Sequence, residues 1–122
     1  MLEAYSLNQT VGANTAIPFN NTSIKKGCTA ELSGVSSISL NKCGVYMIAF
    51  DGVAGTATTV QLYKDGVAQP QAQSTGTAIS FVTLVQVDHN NCGCCSSPVT
   101  VRLVNTTAAT FTNCNVCVTK VC

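Results

Sequence analysis

Charge is scarce in this sequence. Six Lys and Arg and five Asp and Glu are all that 122 residues carry, for a net charge of +1. The cations are scattered apart from Lys25-Lys26, a solvated pair. No basic patch exists to neutralise a run of phosphates, which argues against a nucleic-acid partner. So weak a field also argues against long-range steering of a charged ligand. No apolar run approaches the length that spans a bilayer, so no membrane partner is expected. The opening MLEAYSLNQT has neither a basic n-region nor an apolar h-region. Synthesis and folding in a cytosol, with no secretory signal, is the expectation.

The makings of an active site are missing too. Glu3, Glu31, Asp51, Asp65 and Asp88 are dispersed, and none forms the close pair that glycoside hydrolysis needs. The one histidine, His89, stands beside a cysteine loop, but no Gly-framed nucleophile motif and no evident orienting carboxylate accompany it. It reads as a solvated loop residue. No catalytic residue and no cofactor are assigned, and the chain is expected not to be an enzyme. Oxygen ligands are too few around Asp51 and Asp88 to argue a calcium site.

No stretch has a helical apolar period. Alternation at period 2, broken by turn residues every eight to twelve positions, recurs to the end. Thr, Ser, Val, Ala, Asn and Gly dominate, a β composition with an uncharged polar surface. About eight main strands are expected in one domain over residues 1–122. Tyr5 and Leu7 open the first. Ile17 and Phe19 flank Pro18 in a short edge. Residues 23–32 hold another, with Gly27 a candidate bulge, and Ile38 and Leu40 alternate in the next. VYMIAF (45–50) is nearly continuous in apolar residues and is expected to be buried on both sides. GVAGTA (52–57) reads as a connection, and Val60, Leu62 and Lys64 share one face beyond it. Asp65-Gly66 reads as a hairpin turn. VAQPQAQSTG (67–76) reads as loop, AISFVTLVQVD (78–88) as a long strand. PVTVRLVN and TFTNCNVCVTKV supply the last two. Without crossover helices, the pattern is that of an antiparallel β-sandwich or jelly roll.

Against this plain background stand eight cysteines. Cys92, Cys94 and Cys95 crowd one loop, Cys114, Cys117 and Cys122 close the chain, and Cys28 and Cys43 lie apart. All eight are disulfide candidates, and for the loop and C-terminal cysteines disulfides, within the chain or between subunits, are the preferred reading. A thiolate metal site at Cys92, Cys94, Cys95 and His89 is the lesser alternative, because Cys92-x-Cys94 is tighter than usual zinc spacing. Free thiols are a third. On a regular strand Cys114 and Cys117 face opposite sides and Cys114 and Cys122 share one, so no single pocket collects all three unless a bulge intervenes near Asn115. Cys28 and Cys43 either pair or serve as small buried hydrophobes. Sequons at Asn8, Asn20, Asn21 and Asn105 read as chance.

The run Gly44-Val45-Tyr46-Met47-Ile48-Ala49-Phe50 resembles the G-x-Y-x-x-x-F strand of C1q/TNF-like jelly rolls. Gln61-Leu62-Tyr63-Lys64-Asp65-Gly66-Val67 is similar to that family's Lys-Asn-Gly-Val hairpin. The whole chain resembles small C1q-like proteins of clostridia and their phages. Those open with YSLN-x-T-V, carry a Cys-rich loop before VTVxLVN and close with NVxVTK. The resemblance implies an all-β, C1q/TNF-like antiparallel jelly-roll β-sandwich of eight or ten strands, packed as a homotrimer about a three-fold axis. It implies display, adhesion or shell decoration, without the Gly-X-Y stalk many members carry. The expected role is a phage virion surface protein, as capsid decoration or fibre. A disulfide-cross-linked spore-surface or appendage subunit is one alternative. A lectin-like module for a host-surface glycan or receptor is another. The partners implied are further copies of the chain and a larger shell or fibre on the virion or spore surface.

Overall fold

A computed structural model describes residues 1–27, 29–87 and 99–121. Nine strands occupy them: β1 Leu2–Val11, β2 Thr15–Ala16, β3 Asn21–Lys25, β4 Ala30–Leu32, β5 Ile38–Leu40, β6 Gly44–Lys64, β7 Val67–Val87, β8 Val99–Asn105 and β9 Ala109–Lys120. All pairings among them are antiparallel. No helix among the described residues is long and apolar enough to cross a membrane.

The two 21-residue strands, β6 and β7, organise everything else. The first half of β6 pairs with β9 through Tyr46–Ala54, and β9 pairs with β1, which pairs with β3. The second half pairs with β8 through Val60–Lys64, followed by β5 and β4. One bent hairpin therefore belongs to two layers. The bend lies where the β6–β7 register breaks, between Val53 and Thr58. Strands that pass from one sheet of a sandwich to the other turn the corner at such bulges. GVAGTA is thus this corner inside one strand, not the connection the sequence implies.

Four further expectations are corrected. Residues 67–76 are strand, not loop. Pro70 is tolerated because β7 pairs only with β6, so its other edge needs no N–H donor. Residues 69–72 fall in the register break between Gln61–Gln73 and Tyr63–Ala68. The VYMIAF stretch is buried on one side only: Tyr46, Ile48 and Phe50 face the core, whereas Met47 is exposed and Val45 and Ala49 are half-buried. Residues 23–32 split at a turn around Gly27 (φ 73°) into β3 and β4, which lie in different layers. Ile17 and Phe19 form no edge strand; both are fully buried plugs of the core.

The core packs Leu2, Tyr46, Ile48, Phe50, Phe111, Val116 and Val118 of one layer against Ile38, Leu40, Val60, Leu62, Val101 and Leu103 of the other. Phe50 meets Phe19 edge-on, ring centroids 6.5 Å apart, and Phe81 at 5.7 Å, within the range in which aromatic pairs attract. The Asp65-Gly66 turn forms as expected. Both residues have positive φ (49° and 81°) and Lys64 pairs with Val67, the two-residue geometry that matches strand twist.

Candidate functional site

The outward face of the β3-β1-β9-β6-β7 layer can be read row by row from strand register, because residues in register share a face. One row runs Thr119, Met47, Leu84. The next runs Glu3, Cys117, Ala49, Val82. A third runs Tyr5, Asn115, Asp51, Ser80, and a fourth Leu7, Asn113, Val53, Ala78. On this face Val82 is 63%, Leu84 60%, Leu7 55%, Val53 45% and Met47 38% exposed. Five large apolar side chains on one sheet surface form the kind of patch that marks an interaction site. Val82, Leu84 and Met47, with Ala49 and Cys117 between them, are its most continuous part.

The edge beside this patch carries no charge of its own, and one lysine reaches it from outside: Lys64 Nζ donates to the Gln86 carbonyl at 2.7 Å. From Gly66 through Val87 there is no charged residue. Natural sheets blunt edges with lysine, proline or bulges; β7 has only Pro70 and its local register break, in the half that belongs to the other layer. This signal was legible in the sequence, but reading 67–76 as a loop hid the length of the strand.

The cysteines divide. Cys28, Cys92, Cys94, Cys95 and Cys122 lie outside the described residues, as do Asp88 and His89. Cys43 is disulfide-bonded. Cys114 and Cys117 are free thiols, so neither is in a bond within this chain, contrary to the within-chain form of the disulfide expectation. Strand geometry keeps them apart. The β9 irregularity falls between Phe111 and Asn113, before Cys114 rather than near Asn115. Cys114 therefore faces the core, fully buried, and Cys117 faces outward, half-buried. Burial pushes the Cys114 thiol up to about 12, partly offset by the Ser6 hydroxyl opposite it. Such a thiol is inert at neutral pH. Among the described residues no group of three or more His, Cys, Asp or Glu could hold a metal ion.

Sequence reading missed Asn105. It lies at the end of β8 with no exposed surface. Its Oδ1 accepts from the Thr58 hydroxyl, and its Nδ2 donates to the carbonyls of Thr107 (2.6 Å) and Val11 (3.2 Å). This one amide ties the β6 corner to the ends of β1 and β8, and a glycosylation sequon at it is closed by burial. Asp65 caps the start of the last hairpin, accepting from the Thr100 N–H at 2.9 Å. Lys25 pairs with Glu31 at 3.3 Å, both exposed. Tyr46 is fully buried, and its hydroxyl donates toward the carbonyls of Lys42 (2.8 Å) and Thr29 (3.2 Å).

No family model matches the chain, and no curated protein matches it. Solved structures do. The globular domain of zebrafish complement 1qA is similar with a TM-score of 0.78 and 7% identity, over 99% of this chain and 96% of that one. The PRD1 vertex protein is similar at 0.68 and 16%, over 99% and 96%. Rabbit GITRL is similar at 0.61 and 12%, over 100% and 95%. The fold is thus the C1q/TNF jelly roll that the strand motifs resemble.

Proposed function

We propose that the chain is a non-enzymatic display module that works as a homotrimer, with the Met47–Val82–Leu84 patch and the β7 edge covered by neighbouring copies. The exposed apolar rows beside a charge-free edge carry this reading. Burying them removes apolar surface from water at roughly 25 cal/mol per Å² and closes an edge that invites indiscriminate pairing. A closed symmetric ring of copies satisfies all of them at once. The low charge and small size of the chain suit a protein seated on a larger shell.

The setting proposed is the surface of a phage virion, as capsid decoration or fibre, in small C1q-like proteins of the clostridial and phage type. The likeness to a phage vertex protein supports it, and so do the YSLN, VTVRLVN and NVCVTK segments. The free, half-buried Cys117 in the patch is packed by copies rather than cross-linked. Native and denaturing mass spectrometry of the thiol-alkylated chain, with and without reductant, tests this. The account expects a discrete trimer that falls to monomer on denaturation alone. Covalent ladders that collapse only with reductant would replace it with a cross-linked spore or appendage subunit.

A further inference from the structure

Between the third and fourth rows of the outward face lies a depression of about 210 Å³, lined by Asp51, Gly52, Val53, Ala78, Ile79, Ser80 and Asn113. Its origin is local. The β6–β7 ladder opens just beyond Gly52, where Val53 pairs with Ala78 but Thr58 pairs with Gly76. Gly52 faces the core: an added Cβ would lie 3.0 Å from the Phe50 ring. The backbone of Gly52 and Ile79 forms the floor. Asp51 and Ser80 stand in register on one side, Val53 and Ala78 on the other, and Asn113 pairs with Val53 from β9.

The two sides differ in chemistry. None of the side-chain hydrogen bonds among the described residues involves Asp51, Ser80 or Asn113. A carboxylate, a hydroxyl and a carboxamide therefore face the depression with their capacity unspent. Val53 and Ala78 offer an apolar wall opposite. No cation lines it. We infer that this depression is a binding site for a neutral, hydroxyl-rich ligand of monosaccharide size. A sugar ring has one edge of hydroxyls and one face of C–H groups, and the depression has a partner for each. Asp51 accepts from adjacent hydroxyls, in the charge-assisted bonds that are strongest. Asn113 and Ser80 each donate and accept. An anionic sugar is repelled by Asp51 with nothing to compensate. The site is small and open, so affinity per copy is on the order of millimolar. Copies held together would raise it by avidity. The depression is four to six residues along β6 from Met47, about 13–20 Å at strand rise, but Ser80 is two residues along β7 from Val82, about 7 Å, so the depression borders the apolar patch.

The test is titration of the 15N-labelled chain with methyl glycosides of glucose, galactose, mannose and N-acetylglucosamine, with glucuronate as the anionic control. At least one neutral sugar is expected to shift amides of Asp51–Val53, Ala78–Ser80 and Asn113. Asp51→Asn should weaken that binding about tenfold, the loss expected for one charged hydrogen bond. Ala78→Leu, which fills the exposed wall, should abolish it. Asp51 is exposed, so an otherwise unchanged spectrum shows that the variant is folded. No response to any neutral sugar, shifts confined to another surface, an equal response to glucuronate, or indifference to Asp51→Asn would each overturn the assignment. The same titration of the Leu84→Lys chain, in which the proposed contact between copies is broken, separates the two readings: a lack of response there as well overturns the site and leaves self-association standing.

Discussion

Replacing Asn105 by alanine is the sharpest perturbation of the fold, because one buried amide serves three groups. The Thr58 hydroxyl loses its acceptor on Asn105, and the carbonyls of Thr107 and Val11 lose the Nδ2 donor. The Thr58 hydroxyl can turn its one proton to the Thr107 carbonyl at 3.1 Å, so the Val11 carbonyl bears most of the loss. A buried group left unsatisfied costs roughly 1–3 kcal/mol, and truncating the side chain leaves a small void besides. The expected total is about 3 kcal/mol. For a chain of this size that lowers Tm by roughly 10–15 °C. Thermal and urea unfolding followed by circular dichroism read it directly, with an unchanged m-value showing that only stability moved. Asn105→Asp adds a pH signature. The new carboxyl is buried against two carbonyls, which holds its folded pKa above its unfolded value. Stability is therefore fully present below about pH 4 and is lost as pH rises through the folded pKa. A loss under about 1 kcal/mol for Asn105→Ala, or a pH-independent loss for Asn105→Asp, would refute the claim that this amide pins the corner.

Other perturbations follow from the same contacts. Cys114 is raised to about 12 from an ordinary 9.0; stability is intact below pH 9 and falls above it by up to about 1.4 kcal/mol per pH unit. Cys114→Ala should flatten that alkaline limb in urea titrations at pH 8 to 11, and an unaltered slope would contradict the burial. Tyr46→Phe strands the Lys42 N–H that its hydroxyl accepts at 3.2 Å and should cost about 1–2 kcal/mol in urea unfolding; no loss would show that the hydroxyl is dispensable. Gly52→Ala forces its new Cβ to 3.0 Å from the Phe50 ring and should cost about 1–3 kcal/mol as overpacking, whereas unchanged stability would show that the ring can yield.

Strand alternation made β1, β5, β8 and β9 legible, since one-sided burial leaves period 2 in the sequence. The hairpin was legible in Asp65-Gly66 because few residue pairs accept two positive φ values. What misled was chemistry whose meaning depends on place. Pro70 and the polar Gln and Ser residues of 67–76 signal a loop in isolation, yet an edge strand tolerates them. The apolar run 45–50 signals two-sided burial, yet Met47 and Ala49 are apolar because their outward face is a patch. Asn105 gave no local sign, because its three partners are 47 and 94 residues away and two residues on. Cysteine parity worked: Cys114 and Cys117 do face opposite sides, because the irregularity in β9 precedes both.

The central claim is that the Met47–Val82–Leu84 surface is buried between copies. Sedimentation equilibrium of the intact chain in reductant, beside its Leu84→Lys variant, tests it most directly. The account predicts a mass three times the 12.6 kDa of the chain for the wild type and a folded monomer for the variant. A wild type that stays monomeric at tens of micromolar, or a variant that assembles as well as the wild type, would contradict it.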